Sequence, residues 1–342
     1  MPEEQGSTSA AQPTTERGEA PVLPAHWRRG AVAVGLLAVL GYLVVVALLD
    51  REALLSALAR ITPATLILIL LLSLLNYVLR FVRWQHFLSR AGHRVPLWRH
   101  VLIYQGGFVM ALSPGRVGQA VRSVYLQWFR VPLRTSFAAL FGELFFDLLG
   151  VMLLALLLFA TEPEYLPYVL SGLALMVAAA AILLMPRLYD WLLQLLFRLP
   201  LLAARTAFQE WVQRFSHDCR AVLGTPWALV WLLLTLVAWA AEGYGVVLLT
   251  QDLGYGLPVL QVVGVYSMAL LVGAAAFLLP AGLGGMEAAM AALLVVLGLT
   301  LADAIVVTLL CRLATLWFAI LLGAMALTVL EILDHPGGER RA

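Results

Sequence analysis

Seven ionisable residues of this chain lie inside long apolar stretches: Arg116, Arg122, Glu143, Asp147, Glu242, Glu287 and Arg312, with Asp303 near the end of another. In hydrocarbon each such charge costs about 2.5–3.5 kcal/mol on insertion scales, so these groups must be paired or wetted. Glu143 and Asp147 are four residues apart and share one helix face. Two carboxylates on one buried face repel each other, which suits a proton carrier and equally suits two counter-ions for nearby arginines. Glu242 stands alone in an apolar run with no local explanation, and with Glu143, Asp147 and Glu287 it is a candidate proton or counter-ion carboxylate. Glu287 falls in the first turn of a helix, where a carboxylate favours the dipole; capping is the simpler reading there, catalysis the other.

Arg116 sits among glycines in Pro114-Gly115-Arg116-Val117-Gly118-Gln119, and Arg122 follows in the next half-helix. Free N–H groups at a helix start attract anions, and guanidinium forks match phosphate oxygens. Arg116, Arg122, Arg312 and the Gly115 and Gly118 backbone are therefore candidates for holding a lipid phosphate. In the alternative, Arg116 and Arg122 snorkel to the surface or satisfy Glu143 and Asp147. Arg312 falls about as far past a second Gly-rich break as Glu143 falls past the first, so Glu143 and Arg312 are expected to pair. Arg80 and Arg83, beside Trp84, read as an interfacial anchor or as a headgroup contact. No His-Glu-x-x-His, Gly-x-Ser-x-Gly or metal-spaced cysteine pattern occurs. No catalytic residue, metal or cofactor is expected, and the chain is not read as an enzyme. Were it one, acting on a lipid-linked substrate, Glu143 and Asp147 would be its acid/base pair.

The elements that carry these residues belong to a membrane protein. Of 342 residues 62% are apolar and 12% charged, with mean hydropathy +0.92, against roughly 45–50% and about 25% in soluble domains. The basic residues are all arginine and scattered at segment ends, and the net charge is +2, so nucleic acid is not an expected partner. Cys219, in a polar connector, and Cys311, in an apolar run, suggest no disulfide. Residues 1–26 are polar and Pro-rich, the composition of a disordered tail; 27–334 is the membrane domain and 335–342 a short tail.

A spanning helix needs about 20 apolar residues, and six stretches qualify: 31–49, 63–82, 136–160, 166–185, 226–249 and 302–330. Arginine-rich connectors fall on one side if both termini are cytoplasmic. One of them, 186–225, reads as short amphipathic helices on the cytoplasmic surface. Two further apolar regions, 100–130 and 258–300, are broken by Pro114 with its glycines and by Pro280, Gly282 and Gly284. The first has arms too short to span and reads as a re-entrant hairpin; the second is either a hairpin or two full spans. The order span, hairpin, span occurs twice in opposite sense, an inverted-topology repeat with its site where the broken helices meet. The fold expected is an all-α polytopic membrane protein of six spanning helices and two re-entrant broken-helix hairpins.

The runs Arg80-Phe-Val-Arg-Trp84, Leu112-Ser-Pro-Gly-Arg-Val-Gly-Gln-Ala-Val-Arg122, Glu143-Leu-Phe-Phe-Asp147 and Leu279-Pro-Ala-Gly-Leu-Gly-Gly-Met-Glu287, followed by Arg312, resemble the lysylphosphatidylglycerol synthase transmembrane-region family. The resemblance spans roughly residues 30–330. Gln119 stands where members often carry Glu. Such proteins are similar to the flippase half of the multiple peptide resistance factor, which moves aminoacylated phosphatidylglycerol between leaflets, and relatives are associated with polyprenyl-linked glycolipids or hopanoids. The resemblance implies a multi-pass protein of the bacterial cytoplasmic membrane that moves or binds a phosphate-bearing lipid, either a phospholipid or a lipid-linked saccharide. No aminoacyl-transferase domain follows, so lipid synthesis is not expected. The alternative is an accessory subunit partnering a lipid-synthesis or glycolipid enzyme, without transport of its own. A homo-oligomer is left open.

Overall fold

The computed structural model describes residues 51–112, 121–160, 166–196, 206–224, 226–275 and 282–334. The tail 1–26, the span expected at 31–49, the tip residues Pro114, Gly115, Arg116, Gly118 and Pro280, and the tail 335–342 lie outside them.

Among the described residues every regular element is helical: α1 Arg51–Arg60, α2 Pro63–Arg90, α3 Leu97–Gly106, α4 Val121–Leu126, α5 Leu133–Ala155, α6 Leu166–Leu184, α7 Pro186–Leu196, α8 Thr206–Leu223, α9 Ala228–Asp252, α10 Val259–Ala275, α11 Gly285–Val296, α12 Leu301–Arg312 and α13 Phe318–Asp334. One π-helical turn, Leu313–Trp317, joins α12 to α13. Helix starts follow their sequence signals. Thr62 caps α2 by accepting from Thr65 N at 3.2 Å, with Pro63 in the first turn. Thr300 caps α12 in the same way through Asp303 N.

Four helical stretches are long and apolar enough to cross a membrane: Pro63–Arg90, Leu133–Leu158, Ala228–Asp252 and Leu301–Leu333. They match four of the six expected spans. The stretch expected at 166–185 is the 19-residue helix α6. In the second broken region α10 has 17 residues and α11 has 12. At 1.5 Å per residue α11 falls short of a hydrocarbon core about 30 Å thick, and the described part of α10 is about 26 Å long.

Helix α2 shows why the solvent must be lipid. It exposes Ile67, Leu71, Leu74, Val78 and Val82 along one stripe, and buries Ser73, Asn76, Arg80 and Arg83 on the other face. That distribution reverses the one water would select. A protein of this composition and fold is a multi-pass membrane protein.

Two sets of elements, a first trio α2 to α5 and a second trio α9 to α13, each a long helix, a broken region and a long helix in sequence order, pack reciprocally. Their first helices, α2 and α9, cross along much of their length, with Asn76 Nδ2 donating to Ala238 O at 3.0 Å. The last helix of each trio packs on the first arm of the other's broken region: α13 on α3, and α5 on α10. Both crossings are close. A Cβ at Gly264 would lie 2.5 Å from Leu158 N, and one at Gly323 2.7 Å from Gln105 O. In the connector, α8 packs on α5 and buries Cys219, Val222 and Leu223 there. The helices expected between 186 and 225 are present, and Cys219 is inside the protein.

Candidate functional site

The polar face of α2 meets α5 in a buried charge cluster. Arg80 Nη2 lies 2.6 Å from Asp147 Oδ2 and 3.1 Å from Glu143 Oε1. Arg83 Nη2 donates to Asp147 Oδ1 at 2.6 Å and to the Glu143 carbonyl at 3.2 Å, while its Nη1 donates to Thr235 Oγ1 on α9. From α4, Arg122 Nη1 donates to Glu143 Oε2 at 2.7 Å, and from α3 the Tyr104 hydroxyl donates to Glu143 Oε1 at 2.7 Å. None of the five residues is more than 4% exposed. Three guanidiniums and two carboxylates in so dry a place hold together only because each carboxylate accepts from several donors.

Arg122 is enclosed by rings as well. Its Cζ lies 4.0 Å from the Tyr104 ring centroid, 5.0 Å from Phe108 and 5.4 Å from Trp84, a desolvated cation–π setting. Space for the guanidinium comes from Gly107, where a Cβ would sit 2.2 Å from Arg122 Nε. Of the two expectations for Arg122, the geometry displays the pairing with Glu143.

The second break is built differently. Gly284 takes φ +84° at the start of α11, and its N–H donates to Glu287 Oε2 at 2.8 Å. Glu287 Oε1 accepts from Arg312 Nε at 2.7 Å, so this carboxylate both caps its helix and pairs. Gly282 takes φ +65°, and a Cβ there would meet Gly273 O at 2.6 Å. The chain turns against α10 closely enough to admit only glycine.

These contacts correct two sequence expectations. Glu143 pairs with Arg80 and Arg122, and Arg312 pairs with Glu287, so the expected Glu143–Arg312 pair does not form. Each carboxylate is met by arginines nearer in the chain: Glu143 by Arg80 and Arg122, and Glu287 by Arg312. Arg80 and Arg83 are not interfacial anchors, the first of the two readings offered for them; both are buried in the cluster. Their signal was legible: Ser73, Asn76, Tyr77, Arg80, Arg83 and Trp84 recur at helical spacing as one polar face.

Between the two halves lies a cavity of about 80 Å³, large enough for several waters or a phosphate group. Arg80 and Tyr77 of α2 form part of its wall, with Glu242 and Trp239 of α9, Tyr266 of α10 and Arg312 of α12. Both broken regions reach it, through Phe108 and Ala111 in one and Leu270 in the other. The Tyr266 hydroxyl donates to Glu242 Oε2 at 2.5 Å. The π turn after Arg312 loosens the backbone here, and the Tyr77 hydroxyl donates to the Thr315 carbonyl at 2.6 Å. Arg80, Arg312, Glu242 and two tyrosines thus converge on one small, partly polar space. Sequence reasoning singled out Arg312 and Glu242 but missed the tyrosines, which an apolar run conceals. Gly115, Arg116 and Gly118 cannot be placed against this wall, since they lie outside the described residues.

No group of three or more His, Cys, Asp or Glu side chains suited to a metal occurs among the described residues. No curated protein matches the chain at a significant level. The family model described as lysylphosphatidylglycerol synthase TM region matches residues 31–323. With most of its length matched, and with the helical membrane architecture above, the chain belongs to the lysylphosphatidylglycerol synthase transmembrane-region family.

Proposed function

We propose that the protein is a flippase-like carrier that takes the headgroup of a phosphate-bearing membrane lipid into the cavity while the acyl chains stay in the bilayer. The observation that carries this reading is that the cavity wall holds one guanidinium from each trio, Arg80 and Arg312. Guanidiniums are suited to phosphate oxygens, and a site reached from both trios suits an inverted repeat, in which broken helices meet at the midplane. The reciprocal packing of α13 on α3 and α5 on α10 supports that repeat. The short arm α11 supports a re-entrant second region.

In this reading the arginine-rich connectors and both termini face the cytoplasm, the membrane is the bacterial cytoplasmic membrane, and the protein does no bond-making chemistry. Reconstitution tests it. Liposomes containing the purified protein and fluorescent short-chain phosphatidylglycerol, phosphatidylethanolamine or polyprenyl phosphate should lose outer-leaflet label at a different rate from protein-free vesicles for at least one lipid. Rates equal to those of empty vesicles across all three would overturn the reading.

A further inference from the structure

A second polar cluster closes the end of the protein opposite the arginine-rich connectors. Helix α2 starts beside it and ends at Arg90, next to Arg94 and Arg99, at the other end. Asp303, in the first turn of α12, pairs with Arg60 Nη2 at the end of α1. Its Oδ2 accepts from the Tyr255 hydroxyl at 2.6 Å, and that hydroxyl accepts from Thr300 N at 3.1 Å. Arg60 Nη1 donates to the Leu253 carbonyl at 3.0 Å, and Thr62 N donates to Asp252 Oδ2 at 2.8 Å. These contacts hold the turn between α11 and α12 against α1 and the end of α9. The Arg60 side chain is 44% exposed, so water replaces its partners when the pair separates. The dry cluster on α5 has no such substitute, and breaking it strands charge.

The helix pair that this cluster holds has the parts of a flap. Helix α11 buries only Met286, Met290 and Leu294, a single stripe, and methionine packing is adaptable. Two irregular stretches bound the pair: Gly282 and Gly284 with positive φ before α11, and the π turn Leu313–Trp317 after α12. Both lie beside the cavity, since Leu283 packs on Ala111 and Leu316 of its wall. A few such element-terminal residues absorb the dihedral change of a hinge. From Asp303, α12 runs about 14 Å to Arg312 on the cavity wall. Between them its Ala304 and Val307 join one apolar cluster with Ala57 of α1 and Val246 of α9, a seal that opposes passage of a charged headgroup. We infer that Asp303, Arg60 and Tyr255 are the latch of a gate made by α11 and α12, and that its release opens the cavity toward the end away from the arginine-rich connectors. The structure shows the latch closed. The inference rests on the reading of the cavity as a headgroup site, which must be reached from both leaflets.

The native cysteines report the gate. Cys311 lies on α12 next to Arg312, Cys219 lies on α8 in the connector, and both are buried. Purified full-length protein in detergent is labelled with a small charged methanethiosulfonate, with Cys219→Ala or Cys311→Ala leaving one thiol at a time. With the latch intact both thiols should react slowly. Arg60→Gln and Asp303→Asn should each speed labelling of Cys311 by about fivefold and leave Cys219 at its original rate. Tyr255→Phe, which removes one donor to Asp303, should act in the same direction and less. If Asp303→Asn fails to elute as a monodisperse helical protein, Arg60→Gln and Tyr255→Phe decide. An unchanged Cys311 rate in these variants would overturn the latch. Equal acceleration of both cysteines would overturn it too, because general loosening would then explain the result. Selective acceleration of Cys311 in a protein that moves none of the three lipids would leave the latch standing and overturn the carrier. Lipid movement with an unchanged Cys311 rate would overturn the latch and leave the carrier.

Discussion

Arg122 and Glu143 form a fully buried ion pair at 2.7 Å, the one carried by the second arm of a broken helix and the other by the span that follows it. The pair fixes α4 against α5. Around it the charge is uneven, because three arginines share two carboxylates.

Unequal costs on the two sides of this pair follow. Glu143→Leu leaves Asp147 to serve Arg80, Arg83 and Arg122, whereas Arg122→Leu leaves Glu143 with Arg80 and Tyr104. Stranding a buried charge costs about 3–5 kcal/mol, and Glu143→Leu should reach that range with Arg122→Leu clearly below it. Thermal denaturation in detergent, followed by helical circular dichroism, measures both. Equal losses would show that the cluster does not work through shared acceptors.

Arg312 and Glu287 should behave as a separate unit. Glu287→Gln and Arg312→Gln each remove a charged contact in the second half, and the double variant should lose less than the summed single losses, with a coupling of about 0.5–3 kcal/mol. A cycle between Glu143 and Arg312 should instead be additive within about 0.5 kcal/mol. Strong coupling in that second cycle would contradict the pairing described above.

Gly107 and Gly92 offer a paired test of space against backbone strain. Gly92 has φ +83° with nothing near a new Cβ, while Gly107 has ordinary helical dihedrals and Arg122 in the way. Gly92→Ala should cost about 1 kcal/mol, from the left-handed backbone alone. Gly107→Ala should cost about 1–3 kcal/mol as an overpacking change, and it displaces Arg122 from its rings. Only the Gly107 change should alter lipid binding. An altered affinity in Gly92→Ala would separate that readout from the cluster.

Both cysteines should be silent to thiol reagents in the folded protein. Cys219 and Cys311 are buried, and burial together with the Asp218 charge pushes the Cys219 thiol up to about 12. Thiolate is the reactive form, so maleimide labelling should stay slow from pH 7 to pH 9, where an exposed cysteine accelerates strongly. Unfolding in dodecyl sulfate should release two reactive thiols. Fast labelling of the folded wild type would show that α8 does not cover Cys219 as described.

Local physics explains how much of this was legible in the sequence. Uninterrupted apolar length marked the four long apolar helices now seen, because it depends only on neighbouring residues. Glu143 and Asp147 share a face by helical spacing alone, and Glu287 caps its helix from three residues away. Of the partners of Glu143 and Asp147, Arg122 was among the arginines the sequence offered, but Arg80 and Arg83 were not. Arg80, Arg83 and Arg122 come from two other helices, and only packing brings them to α5. The sequence placed Arg80 and Arg83 at a membrane surface because they follow an apolar run; α2 continues to Arg90 and carries them inside, where α5 and α9 surround them. Glu242 was conspicuous as a lone charge in an apolar span, yet its place on the cavity wall depends on how α9 rotates against α2, α10 and α12. Composition and the positions of the long apolar helices were thus determined by the sequence alone. Which charges meet, and which acid faces the cavity, was decided by tertiary packing, since those contacts join residues far apart in the chain.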